Sequence, residues 1–203
     1  MRRANRGGRG LSSTGTGQGG QSLVEFALVF PIFFGALMAL VEFAFGFNAV
    51  LSVSFASRNA AVIAAEASNS ASADCSILKS IEDDFDAPAS AKQISKVSIY
   101  WTNANGQPVS GVITTYTRST TSTIACSIAG LNFNVPYVLT TNGYPPSLRC
   151  GVRTGCGSGH LGLDTIGVQI TYAYSFLTPY GAVLGGKGWT VDRSDEMRVE
   201  PYQ

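Results

Sequence analysis

The chain has 203 residues and a formal net charge of +1; 13% of its residues are charged and 45% are hydrophobic. This near-neutral balance excludes the basic footprint of a nucleic-acid binder, so we predict no nucleic-acid partner. The low charge, together with abundant Gly, Ser and Thr, predicts a domain rich in strands and turns outside any membrane segment.

Residues 1–20, MRRANRGGRGLSSTGTGQGG, carry four arginines and no apolar stretch. They are predicted to form a disordered basic leader. Basic residues before the following apolar run outnumber those shortly after it, which places the N-terminus in the cytoplasm and the rest of the chain outside the membrane.

The apolar run Leu23–Phe47 predicts a single membrane-spanning helix over residues 21–47. At about 1.5 Å per residue, it exceeds a hydrocarbon core of roughly 30 Å. The pattern then softens to an amphipathic helix, so one continuous helix is expected from Ser22 to Asn69, with residues 48–74 continuing outside the membrane. A signal peptide would have a shorter apolar part before a clear cleavage site, so we expect the span to be retained.

Two carboxylates lie in this run, and Glu25 near its start carries an insertion cost of about 2.5–3.5 kcal/mol. Gln21 lies four residues earlier, on the same helical face. A cut after Gly20 would make Gln21 the new N-terminus, and Glu25 could then pair with the free amine of an adjacent helix. The alternative is that Glu25 only favours the positive end of the helix dipole. Glu42 lies about 26 Å further along, where we expect it to reach headgroup water or, more weakly, to contact a second subunit.

Residues 75–203 are predicted to form an extracytoplasmic α+β domain whose antiparallel sheet packs on the long helix. The interval 126–163 reads as loop-rich. The predicted elements are a helix at Ser76–Asp86 and extended segments at Lys96–Thr102, Val109–Thr117, Ile166–Phe176 and Gly188–Pro201.

Aromatic residues alternate along the segment Ile166–Phe176. Tyr172, Tyr174 and Phe176 share one face by the two-residue period of a strand. We expect this face to pack on the long helix; an exposed adhesive patch is the alternative.

The cysteines Cys75, Cys126, Cys150 and Cys156 all fall in the predicted outer domain. An oxidising compartment would allow two disulfides, and of the three possible pairings we favour Cys75 with Cys126 and Cys150 with Cys156. A zinc site is the competing interpretation, but the chain has no C-x-x-C pair and its single histidine is His160.

The sequence offers no recognisable catalytic constellation. It contains no nucleophile motif, complete phosphate loop or metal-ligand spacing. We therefore expect no enzyme activity, no cofactor, no metal and no small-molecule substrate.

A pattern of residues begins at Gly20: a Gly, four residues, Glu-Phe-Ala, an early Pro, a late Glu and an Arg in an Ala-rich helix. Its members are Gly20, Glu25, Phe26, Ala27, Pro31, Glu42 and Arg58, and the ending Asp195–Pro201 adds to it. This pattern resembles the TadE-like family, the pseudopilins or minor pilins of tight-adherence (Tad), Flp-type IVb pili. The specific resemblance covers about the first third of the chain.

The resemblance implies a pilin-like fold, cleavage by a prepilin peptidase between Gly20 and Gln21, and roles in assembly for Glu25 and Phe26. It also implies residence in the bacterial inner membrane, with other Tad pilins, minor pilins and the Tad secretion platform as partners. Phe26 stands where Flp pilins carry Tyr, and the chain is much longer than they are. A minor component taking part in pilus assembly or initiation, and so in adhesion and biofilm formation, is therefore expected. The alternative is a membrane-anchored extracytoplasmic binding or adhesion module outside any pilus; a tethered hydrolase is a distant third.

Overall fold

The computed structural model describes residues 18–85, 87–103, 105–156, 160, 162–179, 181, 186 and 188–201. The expectation of a disordered leader falls mostly on residues 1–17, which lie outside the described residues. The chain divides into two compact units between Leu40 and Val41. The second unit therefore begins within the long helix, at Val41. The boundaries predicted from the sequence are at residues 48 and 75.

The long helix α1 spans Gln18–Ala67 without interruption and contains Pro31. Its continuity is as expected, and its ends differ by two to four residues from the predicted ones. In the second unit, small residues spaced three or four apart form its buried face: Ala49, Val53, Ala56, Ala60 and Ala64. This spacing places them on one side of the helix. Because these side chains are small, the backbone of α1 can lie close to the core.

A second helix and seven strands follow. They are α2 at Ala73–Asp83, β1 at Ile94–Thr102, β2 at Pro108–Arg118, β3 at Ile124–Ile128, β4 at Leu131–Val135, β5 at Tyr137–Asn142, β6 at Thr165–Ser175 and β7 at Gly188–Arg198. Five strands form one sheet in the order β5-β2-β1-β6-β7, and β3 and β4 form a separate two-stranded sheet. All pairings are antiparallel. The predicted α+β class, a long apolar helix followed by an antiparallel sheet domain, is confirmed.

The interval 126–163 was predicted as loop, and this was wrong for its first part. It contains most of β3 and all of β4 and β5. These strands have only five or six residues each, so each gives a short pattern, and β5 (YVLTTN) runs from apolar to polar residues without alternating. The turn between β3 and β4 places Ala129 and Gly130 at positive φ, which makes a tight hairpin.

Both disulfides form with the favoured pairing. Cys75 of α2 is bonded to Cys126 of β3, and Cys150 is bonded to Cys156 across a short loop. All four cysteines are thus used, and the zinc alternative is wrong. His160 instead stacks on Trp101 and lies 2.6 Å, Nδ1 to Oδ1, from the Asp164 carboxylate.

A buried ion pair fixes α2 to the rest of the domain. The Arg149 guanidinium donates to the Asp74 carboxylate, and the Tyr116 hydroxyl donates to the other Asp74 oxygen at 2.6 Å. Burial raises the pKa of Tyr116, and the adjacent Asp74 charge raises it further, so this hydroxyl stays protonated and remains a donor. The two sides of the pair are 75 residues apart in the chain.

Candidate functional site

The predicted site at the start of α1 consists of Gly20, Gln21, Glu25 and Phe26, all on the exposed surface. The Gln21 side-chain amide Nε2 donates to Glu25 Oε1 at 3.0 Å. This contact joins residues one helical turn apart, as their spacing predicts. A carboxylate therefore lies beside the residue that would become the N-terminus after a cut at Gly20.

In the part of the chain that the structure describes, nothing packs against Gly20. A Cβ built at Gly20 would meet no other atom within 4 Å. Glycine in a helix costs about 0.5–1 kcal/mol relative to alanine. No packing contact among the described residues therefore requires glycine at this position.

The helix surface after Glu25 is apolar and exposed. Phe26, Phe30 and Phe34 stack one turn apart, with ring centroids 5.3 and 5.8 Å from each other. Among the described residues, one helix segment is long and apolar enough to cross a membrane, Gly20–Ala67, and none of its apolar window is buried within the chain. A surface of this kind in water would be strongly unfavourable, which suggests a single-pass membrane anchor.

Glu42 occupies a different environment from the one we expected. It is only 5% exposed. Its Oε1 accepts from the Tyr174 hydroxyl at 2.5 Å and from the Leu177 amide at 3.1 Å, and its Oε2 accepts from the Thr178 amide at 2.8 Å. The headgroup interpretation of Glu42 was therefore wrong. A buried carboxylate needs donors, and the end of β6 with the following loop supplies them. Glu42 therefore has a role in the fold of the domain, and its contact with a second subunit stays a prediction.

The aromatic face of β6 packs on α1 at Tyr174, as predicted. Tyr174 stacks against Trp189 with ring centroids 4.4 Å apart, and Phe176 meets Trp189 edge-on at 5.4 Å. A Cβ on Gly46 would come within 2.6 Å of the Trp189 ring, so the glycine permits this close approach. Burial raises the pKa of the Tyr174 hydroxyl, as does its bond to Glu42, so the hydroxyl stays a donor. Tyr172 packs elsewhere, on Phe85.

The fold and the N-terminal site define a class of α+β protein. In this class, a long helix that begins as an exposed apolar segment is followed by an antiparallel sheet domain. Within that class, residues 20–62 match the model of a family described as TadE-like protein. The match covers about a fifth of the chain, and it confirms the TadE-like resemblance for this segment, which contains Gly20, Gln21, Glu25, Phe26 and Glu42. No curated protein and no solved structure matches the chain.

Replacing Glu42 with alanine is expected to destabilise the domain by about 3 kcal/mol, because a buried hydroxyl and two amides lose their acceptor. Tyr174→Phe removes one of these three bonds and is expected to cost about 1 kcal/mol. Urea unfolding of the detergent-solubilised chain measures both. Glu66→Ala, at an exposed position of the same helix, is the matched control and should change stability by less than about 0.5 kcal/mol. Equal effects at Glu42 and Glu66 would contradict the assignment.

Proposed function

We propose that this protein is a minor pilin or pseudopilin that takes part in the assembly or initiation of a Tad, Flp-type IVb pilus. The observation that carries the proposal is that the TadE-like match begins at Gly20, where the candidate membrane span also begins, five residues before the carboxylate of Glu25. The TadE-like family is pilus-associated and not enzymatic, and we assign this chain no catalytic role.

The first step of the proposed mechanism is removal of the leader by a prepilin peptidase between Gly20 and Gln21. Gly20 is exposed, and no described residue packs against the space where its side chain would be. A peptidase that accepts only a residue without a side chain would explain the glycine. The cut makes the α-amine of Gln21 the new N-terminus.

The second step is helix packing within the membrane. Glu25 is one turn above Gln21 and exposed, so it can face the amine of a neighbouring processed helix. In a low-dielectric environment each charge strongly disfavours a register in which it stays unpaired. The pair would therefore fix the height of one helix against the next, while the exposed rings of Phe26, Phe30 and Phe34 supply apolar contact area.

The proposed location is the bacterial inner membrane, with the N-terminus in the cytoplasm and the sheet domain outside. The four leader arginines support this orientation. The two disulfides support it independently, because they belong in an oxidising compartment. The proposed partners are the prepilin peptidase, other Tad pilins and minor pilins, and the Tad secretion platform.

The mature membrane protein is expected to begin at Gln21, which intact-mass analysis or N-terminal sequencing measures directly. Gly20→Leu should block the cut without unfolding the chain, since nothing packs at that position. Ala27→Leu, an exposed change further along the same helix, is the matched control and should be processed normally. An intact leader on the wild-type chain would favour the alternative function, a membrane-anchored binding or adhesion module.

A further inference from the structure

The residues just after β6 and at the start of β7 contact the same short segment of α1. The amides of Leu177 and Thr178 donate to the carboxylate of Glu42, and Trp189 lies against Gly46. Two independent contacts therefore hold the residues just after β6 and the start of β7 against the helix segment 42–46. This segment belongs to the same compact unit as the sheet.

The segment 42–46 is where the membrane span would end. About 20 apolar residues cross a hydrocarbon core; a count of 20 from Leu23 ends at Glu42, and the predicted span ends at residue 47, so the segment 42–46 lies at its outer end. Phe43, the next residue, is 73% exposed, and Phe47 stacks on it one turn later. The exposed helix side chains at this level thus stay apolar, as expected of a helix that is still in contact with lipid.

Leu177, just after β6, and Trp189, at the start of β7, present matching chemistry at that level. Leu177 is 61% exposed and Trp189 is 40% exposed, although both are large apolar residues. A single exposed apolar residue is ordinary, but here two are held at the end of a membrane span. Trp prefers the headgroup region because its ring is apolar and its N–H needs a polar partner. Among the described residues of helix segment 42–46, the one carboxylate, that of Glu42, is turned into the domain and does not oppose contact with lipid.

We propose that Leu177 and Trp189 form a second membrane contact, which rests on the interfacial region of the outer leaflet beside α1. The occupant of this surface is the lipid bilayer itself. The contact keeps this end of the sheet domain on the membrane while the chain resides there. Glu42 holds Leu177 and Thr178 in position by accepting from their amides. The proposal rests on the anchor role of α1 in the proposed function, but not on leader cleavage or on entry into a pilus.

Two tryptophans at opposite ends of β6 make the test specific. Trp189 pairs with Tyr174 at one end of β6, and Trp101 pairs with Ile166 at the other, about 26 Å away along the strand. The full chain is reconstituted into phosphatidylcholine vesicles that carry a spin label close to the headgroup. Trp101→Phe leaves Trp189 as the reporter, and Trp189→Phe leaves Trp101 as the matched control. We expect quenching of Trp189 to be several-fold stronger than quenching of Trp101.

A second pair of variants examines Leu177. Leu177→Ser should weaken the quenching of Trp189, whereas Leu131→Ser, at an exposed position in the β3–β4 hairpin, should not. Equal quenching of the two tryptophans, or no quenching of Trp189, would overturn the proposal. Resistance of the chain to alkaline extraction from the same vesicles is measured in parallel. A chain that is extracted has lost the anchor and fails the proposed function, while an inserted chain with unquenched Trp189 fails only the second contact.

Discussion

Glu25→Ala is expected to abolish co-purification of this protein with other Tad pilins while leaving its membrane insertion and leader cleavage intact. Removing one partner of a buried charge pair typically costs 3–5 kcal/mol, because the other charge stays buried and unpaired. At about 1.4 kcal/mol for each factor of ten, the helix–helix affinity should fall by at least a hundredfold. Affinity purification from crosslinked membranes, followed by detection of the partner pilins, measures this loss.

Two controls separate the charge of Glu25 from its other contributions. Glu25→Gln keeps the size of the side chain and its ability to accept from Gln21. If the charge of Glu25 is required, this variant should lose co-purification with other Tad pilins, as the alanine variant does. Glu66→Ala removes an exposed carboxylate from the distal end of the same helix and should assemble normally. Unchanged co-purification of both Glu25 variants would show that the helix is a plain anchor and that Glu25 only favours the helix dipole.

How well a residue of this site can be predicted from sequence depends on how far away in the chain its interaction partners lie. Gln21 and Glu25 meet because they are one helical turn apart, and that spacing is visible in the sequence. Glu42 could not be read in the same way. Its partners Tyr174 and Leu177 lie 132 and 135 residues further along the chain, so the depth of Glu42 in the apolar run was the only local signal. The position of Glu42 in the apolar run placed it near the end of the span. That position gave no information about hydrogen-bond donors in the sheet domain.

The same distinction holds for the fold. The strands β1, β2 and β6 combine regular alternation with aromatic or β-branched residues, and the Asn-Gly pair between β1 and β2 predicts their hairpin. The strands β4 and β5 have weaker patterns because they are only five and six residues long, and β5 does not alternate. The ion pair of Asp74 with Arg149 joins segments that no local pattern connects. Sequence therefore predicts the helical half of the molecule in more detail than the sheet half.

Loss of the Cys75–Cys126 disulfide is expected to destabilise the sheet domain by about 4 kcal/mol, and loss of Cys150–Cys156 by about 2 kcal/mol. The estimates follow from the entropy of closing loops whose ends are 51 and 6 residues apart. The first bond also has a topological role, because it attaches the β3–β4 hairpin, a two-stranded sheet that would be marginal alone, to α2.

Urea unfolding of the double serine variants, in the detergent-solubilised full chain, measures the two losses side by side. A larger loss for the Cys150–Cys156 variant would contradict the loop-length argument and point to packing around Cys150, which is buried. Neither variant should change cleavage at Gly20, because the start of α1 lies in a different compact unit from all four cysteines. A Cys75–Cys126 variant that is processed normally but fails to join other pilins would place a necessary assembly contact on the sheet domain as well as on the helix.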